Sequence, residues 1–216
     1  PEGGYVNFRG HPAQVPSSVG RQLLWLPSQY HNMHADGFSP DSTIQASLRK
    51  LDLATRRVLN DDKVVLTAPH VHDPTKGHNN PPWLGYGWNA GISGMVDAAF
   101  ARLGTRLYGL LVAEQSDDVL VLPWDTPPVR SAADAAAPGL PEVRVGGRPM
   151  GIAVSPVAAT AFVYNDFTFD VSVLDLADPA RPSEARRIAL PGPRGGDLLA
   201  DAVRLRGARL FFGSTD

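Results

Sequence analysis

An internal repeat of about 50 residues constrains the fold of this chain more than any other feature of its sequence. The segments 100–107, 154–161 and 203–210 align without gaps. Each has an apolar residue, a turn of small residues and then a second apolar run. A period of this length, with several short strands in each unit, is typical of the blades of a β-propeller.

The second copy shows most clearly how one unit is built. Residues 151–154 and 161–164 are apolar runs separated by a short turn, and 171–176 alternates between apolar and polar residues after a second turn. The first copy repeats the pattern with apolar runs at 106–112 and 119–122. We therefore predict an all-β chain that forms part of a β-propeller, with about four blades of short antiparallel strands.

Long polar stretches interrupt this pattern. A partial earlier copy has strand-like runs at 20–25 and 44–53, and the turn between them is expanded into an insertion at 27–42. Two further insertions lie at 69–94, which is rich in His, Asn, Pro and Gly, and at 127–141, which contains an alanine-rich stretch. In a propeller such insertions emerge at the ends of the blades, where binding residues are usually found.

The domain organisation that follows has two parts. Residues 1–202 form the blades, and 203–216 form either a last blade strand or the start of a further domain. The chain begins at Pro1 without an initiator Met or a signal-peptide pattern, and it ends at Asp216 directly after a strand-like run. We therefore expect it to be part of a longer protein.

Composition excludes several classes of function. The chain has no cysteine, so disulfides, thiolate metal sites and a cysteine nucleophile are excluded within it. The net charge of −2 provides no basic surface, and nucleic acid is therefore not an expected partner. No apolar run approaches the roughly 20 residues of a membrane-spanning helix, so no transmembrane segment is expected.

Acidic residues are concentrated in the turns between the predicted strands. They are Glu114, Asp117, Asp118, Asp166 and Asp170. The favoured interpretation is that they cap turns by accepting hydrogen bonds from nearby backbone amides. A calcium site is the alternative, and it would require six to eight oxygen atoms converging on one point.

The histidines are the best candidates for metal ligands. Five of the six lie in the two insertions nearest the N-terminus, and they are His31, His34, His70, His72 and His78. Imidazole nitrogens suit zinc, copper, nickel and haem iron, so a transition metal at these loops is one hypothesis. Solvated loop histidines, hydrogen bonded to neighbouring Asp and Asn residues, are the alternative.

The strand sequences resemble a known family. The runs GRPMGIAVSP at 147–156, AFVYN at 161–165 and VSVLD at 171–175 are similar to the YVTN family of bacterial β-propellers. The similarity is strongest over 147–176, weaker over 104–122 and weakest before residue 60. This resemblance implies the propeller fold and leaves the activity open, because propellers carry many different functions.

The C-terminal run VRLRGARLFFGSTD at 203–216 has a second, narrower resemblance. It looks like the stretch where some such propellers continue into a di-haem cytochrome c peroxidase-like domain, at a helix start that precedes a Cys-x-x-Cys-His motif. The resemblance implies haem c beyond Asp216, none within the present residues, and a cytochrome c-like domain or another protein as partner. It also implies export to the periplasm, because bacteria attach c-type haem outside the cytoplasm.

Three functions remain open at this stage. The leading hypothesis is a non-catalytic propeller module of an exported c-type cytochrome, which docks partners for electron transfer while the haem chemistry occurs elsewhere in the protein. The second is a free-standing periplasmic binding propeller, and the third is a metal-dependent enzyme site on the histidine loops. Whether the chain is an enzyme is left undecided by its sequence.

Overall fold

The structure is a computed structural model that describes residues 4–8, 10–16, 22–32, 44–65, 94–123, 141–155, 157–191, 203, 206 and 207. Over these ranges the chain forms thirteen β-strands in three antiparallel sheets. Each sheet follows the chain, so neighbouring strands are joined mainly by short local connections. This arrangement is the antiparallel meander expected of a propeller blade.

The first sheet has a broken innermost strand. Strands β1 and β2 both pair with the same edge of β3, and β4 and β5 complete the sheet. Phe8 pairs with Ser28 but Ala13 pairs with Trp25, so extra residues bulge out between β1 and β2. The strands are β1 (Gly4–Phe8), β2 (Ala13–Gln14), β3 (Leu23–Asn32), β4 (Ile44–Asp52) and β5 (Arg57–Val65).

The second and third sheets are regular four-stranded meanders. Their strand orders are β6-β7-β8-β9 and β10-β11-β12-β13, each in chain order. The second sheet comprises β6 (Met95–Leu103), β7 (Arg106–Ala113), β8 (Asp118–Pro123) and β9 (Glu142–Arg144). The third comprises β10 (Pro149–Val154), β11 (Thr160–Asn165), β12 (Asp170–Asp175) and β13 (Ser183–Ala189).

Apolar side chains stack the three sheets face to face. One cluster joins the first two sheets through residues such as Leu23, Trp25 and Leu111, and a second joins the last two through residues such as Leu110 and Val163. Leu110 and Leu111 are adjacent in β7 and belong to different clusters, because successive side chains of a strand point to opposite faces. The middle sheet is therefore buried on both faces, and the described residues form a partial β-propeller.

One close contact fixes the first sheet against the second. The Trp25 ring lies over Gly109, where a Cβ atom would be only 2.1 Å from two ring carbons. The same ring packs edge-on against Phe100, with ring centroids 4.7 Å apart and an interplanar angle of 65°. Glycine is therefore the residue that this position requires.

The strands predicted from the first two copies of the repeat are confirmed. The apolar runs of the first and second copies lie in β7, β8, β10, β11 and β12. At the third copy, by contrast, the described residues Val203, Arg206 and Gly207 have helical rather than extended backbone. Over the described residues the chain thus forms three of the roughly four blades predicted from the repeat.

The predicted start of the first insertion is wrong. Residues 27–32 belong to β3, where Pro27 pairs with Leu48 and Asn32 pairs with Gly4. Pro27 lies opposite the bulge, beside Gly10, and has no paired residue on β1 or β2, which makes a proline acceptable in this strand. The remainder of the 27–42 insertion, most of 69–94 and most of 127–141 lie outside the described residues.

Candidate functional site

Every second turn or connection of the three sheets lies at one end of the stack, which we call the loop-bearing end. It is defined by the turns 114–117 and 166–169, the linker 145–148, and the strand ends that flank 33–43 and 66–93. In an antiparallel meander successive connections alternate between the two ends of the sheet, so every second one returns to the same end. The Glu114 amide donates a hydrogen bond of 2.8 Å to the Gly94 carbonyl, which places the end of the 66–93 connection beside the turn 114–117.

Only one of the five predicted metal ligands lies in the part of the chain that the structure describes. His31 lies on β3, and its backbone pairs with Tyr5 of β1 and Ile44 of β4. The other four residues of the prediction, His34, His70, His72 and His78, lie outside the described ranges. Among the residues that the structure does describe, no group of three or more His, Cys, Asp or Glu side chains could hold a metal ion.

Arg148 connects the second and third sheets at the loop-bearing end. Its backbone amide donates to Asp117 Oδ1 at 2.7 Å, and its guanidinium lies 3.6 Å from Glu114 Oε2 and 3.4 Å from Asp166 Oδ2. The guanidinium carbon also lies 5.1 Å from the centre of the Phe167 ring. Three of the predicted turn-capping acids thus bind one arginine, and they serve to join neighbouring sheets.

A buried polar network lies directly beneath this junction. Asn165 is fully buried, and its Nδ2 donates to Asp170 Oδ1 at 2.6 Å and to Ser172 Oγ at 2.8 Å. The Gly146 amide donates to the same Ser172 hydroxyl at 3.3 Å. A Cβ atom at Gly146 would lie 2.5 Å from Thr168 Oγ1, so the linker approaches the network as closely as a backbone can. These bonds fix the linker to the third sheet.

Two carboxyl groups near the outer edge of the second sheet have raised pKa values. The pKa of Asp118 is raised from 3.8 to about 6, chiefly by burial and also by the negative charges of Glu142 and Asp117, against the lowering effects of Ser116 and Arg144. Burial also raises the pKa of Glu142. Asp118 therefore changes charge just below neutral pH.

The innermost strands of all three sheets meet at Asp97. Its Oδ1 accepts a hydrogen bond of 2.9 Å from the Ala98 amide, and its Oδ2 accepts one of 3.0 Å from the Ile152 amide of β10. On the other side, His11 Nδ1 lies 3.8 Å from Asp97 Oδ1. The carboxylate thereby joins β6 to β10, and His11, in the bulge between β1 and β2, lies beside it.

Neither His11 nor Asp97 was singled out by the sequence analysis. The available signal was an aspartate in the third position of an otherwise mainly apolar strand, Met95–Leu103. Such a residue needs hydrogen-bond partners when it is shielded from water, which marks a constrained position. Nothing in the sequence distinguished His11 from a solvated loop residue.

Comparisons with known proteins add little to the structure itself. No family model matches the chain, and no curated protein is similar to it. Among solved structures, it is similar to a protein of unknown function from Desulfotomaculum acetoxidans at 11% identity and a TM-score of 0.42, covering 78% of this chain and 53% of that one.

Two other solved structures show the same level of similarity. Kuenenia stuttgartiensis hydrazine synthase matches at 21% identity and a TM-score of 0.36, over 70% of this chain and 34% of that one. Citrobacter koseri AztD matches at 13% identity and a TM-score of 0.35, over 87% and 48% respectively. The chain spans between a third and about half of the length of these proteins. The fold assignment rests on the three stacked sheets themselves.

No helix in the described part of the chain is long and apolar enough to cross a membrane.

Proposed function

We propose that this chain is the β-propeller module of an exported c-type cytochrome and that it docks the haem-bearing domain or its redox partner at the loop-bearing end. The helical backbone of Val203, Arg206 and Gly207 carries the cytochrome part of this proposal. A further blade would have an extended strand at this point, whereas the resemblance of the C-terminal run implies a helix start. The haem chemistry itself lies outside these residues.

The arrangement at the loop-bearing end supports a docking role. Long connections leave the first sheet there after Asn32 and enter the second sheet at Gly94. Arg148 and the buried Asn165 network hold the described turns and the linker together at this end, which makes it a fixed platform. Binding residues are commonly placed on loops that a rigid scaffold positions.

The cytochrome assignment is tested by the coding sequence beyond residue 216 and by the full-length protein. We expect a Cys-x-x-Cys-His codon run within about thirty codons, and a pyridine haemochrome spectrum of c-type haem from the protein purified from its source. Further blades or a stop codon, together with haem-free protein, would instead support the free-standing binding propeller.

The docking face is tested separately by cross-linking the full-length protein with an amine-reactive reagent. Lys76 belongs to the 66–93 connection, which joins the sheets at the loop-bearing end, whereas Lys50 lies near the far end of β4. We expect cross-links to the haem-bearing domain from Lys76 and none from Lys50. Cross-links from Lys50 alone would place the partner at the opposite end and would contradict the proposal.

A further inference from the structure

We propose that His11 and Asp97 form a binding site for a divalent transition-metal ion, such as Zn²⁺, at the inner edges of the sheets. This site is distinct from the histidine loops and does not depend on a cytochrome partner. It rests on three observations: the anchoring of the carboxylate, the exposure of the imidazole and the separation of their ligand atoms.

The Asp97 carboxylate is held in one orientation. The Ala98 amide binds Oδ1 at 2.9 Å and the Ile152 amide binds Oδ2 at 3.0 Å, from two different strands. Only 16% of its side chain is exposed. Hydrogen bonds of this kind orient carboxylates that ligate metals, and each oxygen retains a lone pair for a further partner.

The His11 imidazole is open to solvent but its backbone is fixed. The His11 amide donates to the Val96 carbonyl at 2.7 Å, and Gly10 packs directly on the same carbonyl. The His11 side chain itself is 78% exposed. An ion can therefore reach the imidazole, and the bulge between β1 and β2 keeps the imidazole beside the Asp97 carboxylate.

The separation of the two side chains fits ligands of one ion better than a direct hydrogen bond. His11 Nδ1 and Asp97 Oδ1 are 3.8 Å apart, which is beyond the range of an N–H···O hydrogen bond. Neighbouring ligand atoms around a tetrahedral zinc ion lie about 3.3 Å apart at bond lengths of about 2.0–2.1 Å. A small rotation of the exposed imidazole that moves Nδ1 about 0.5 Å towards Asp97 would bring both atoms into one coordination shell.

Packing does not explain why histidine occupies this position. The bulge is held by a backbone hydrogen bond that a residue of any type other than proline would make, and a side chain that is 78% exposed gains little from burial. Because the described residues offer only these two protein ligands here, water or a group from a binding partner would complete the shell.

The experiment separates His11 from the five other histidines. In a variant carrying H31A, H34A, H70A, H72A and H78A, His11 is the sole imidazole of residues 1–216. We expect this variant to bind one equivalent of Zn²⁺ by calorimetry at pH 7.5, and we expect H11A added to it to abolish binding. D97N should weaken binding at least about tenfold, because it removes the anionic ligand.

A second measurement uses the unmodified protein, so the test survives if the multiple variant fails to fold. Diethylpyrocarbonate labels exposed imidazoles, and peptide mass spectrometry reports the labelling of His11 alone. We expect Zn²⁺ to reduce the labelling of His11 at least about fivefold in the wild-type protein but not in D97N. Equal labelling of His11 with and without Zn²⁺ would overturn the proposal.

Discussion

Replacing Asp97 with alanine should destabilise the whole stack of sheets, because this carboxylate joins the innermost strands. Asp97→Ala removes two hydrogen bonds to a charged acceptor, from Ala98 and from Ile152. Such bonds contribute about 1.5–3 kcal/mol each, and water recovers part of the loss at a side chain that is 16% exposed. We expect the free energy of unfolding to fall by about 2–4 kcal/mol.

The expected loss can be measured in two ways. For a domain of this size each kcal/mol lowers the melting temperature by about 2–4 °C, so the shift should be roughly 5–15 °C in a thermal scan followed by circular dichroism. Hydrogen exchange should also accelerate at the Ile152 amide, which loses its acceptor. Asp97→Asn retains one acceptor oxygen and should cost about half as much.

Asp178→Ala is a matched control for this prediction. Asp178 Oδ1 accepts a single hydrogen bond of 3.0 Å, from the Ala180 amide in an exposed turn. Its loss should cost less than about 1 kcal/mol. Equal effects of the Asp97 and Asp178 substitutions, or unchanged exchange at Ile152, would refute the argument that Asp97 joins the strands.

Three further substitutions test other contacts. Gly109→Ala places a Cβ atom 2.1 Å from the Trp25 ring and should destabilise the protein by about 1–3 kcal/mol, measured as a lower urea midpoint. Ser172→Ala removes a buried partner of Asn165 and should cost about 1–3 kcal/mol, whereas an unchanged midpoint would contradict the network. Asp118 has a folded-state pKa raised from 3.8 to about 6, so its stabilising effect is complete below about pH 4 and is lost as the pH rises through 6. Asp118→Asn should therefore stabilise the protein by about 1–1.5 kcal/mol at pH 8 and by almost nothing at pH 4. The value at pH 8 is about half of the free energy that the pKa shift represents, because the carboxyl group is partly exposed to water. Equal effects at the two pH values would show that burial of Asp118 does not control its charge.

The strands of the last two sheets were accessible to prediction because their sequences alternate and their turns are short. In β11, for example, Ala161 and Val163 are fully buried while Phe162 and Tyr164 are 39% exposed, which is the period of two that the sequence shows. The first sheet was harder to predict, since Pro27 indicated a turn. A proline is acceptable there because the bulge between β1 and β2, which is distant in sequence, leaves residue 27 unpaired on that side.

The convergence at Asp97 could not be predicted from sequence alone. It depends on the bulge of the first sheet at residue 11 and on residue 152 of the third sheet, which each approach Asp97 of the second sheet only after stacking. No local pattern encodes the angle at which one sheet lies on the next. The histidines of the long connections, by contrast, were conspicuous in the sequence, and their metal-binding role stays a prediction.

The double burial of the middle sheet has a consequence for how this chain can diverge during evolution. In β7 and β8, Leu110, Leu111, Val119 and Leu120 are completely buried and face neighbours on both sides, so most changes in size disturb one interface or the other. Strand β13, whose residues Ser183–Ala189 are almost all exposed, carries no such restriction. Accepted substitutions should therefore accumulate in β13, and β7 and β8 of the middle sheet should be the last part of the sequence to lose similarity between distant relatives.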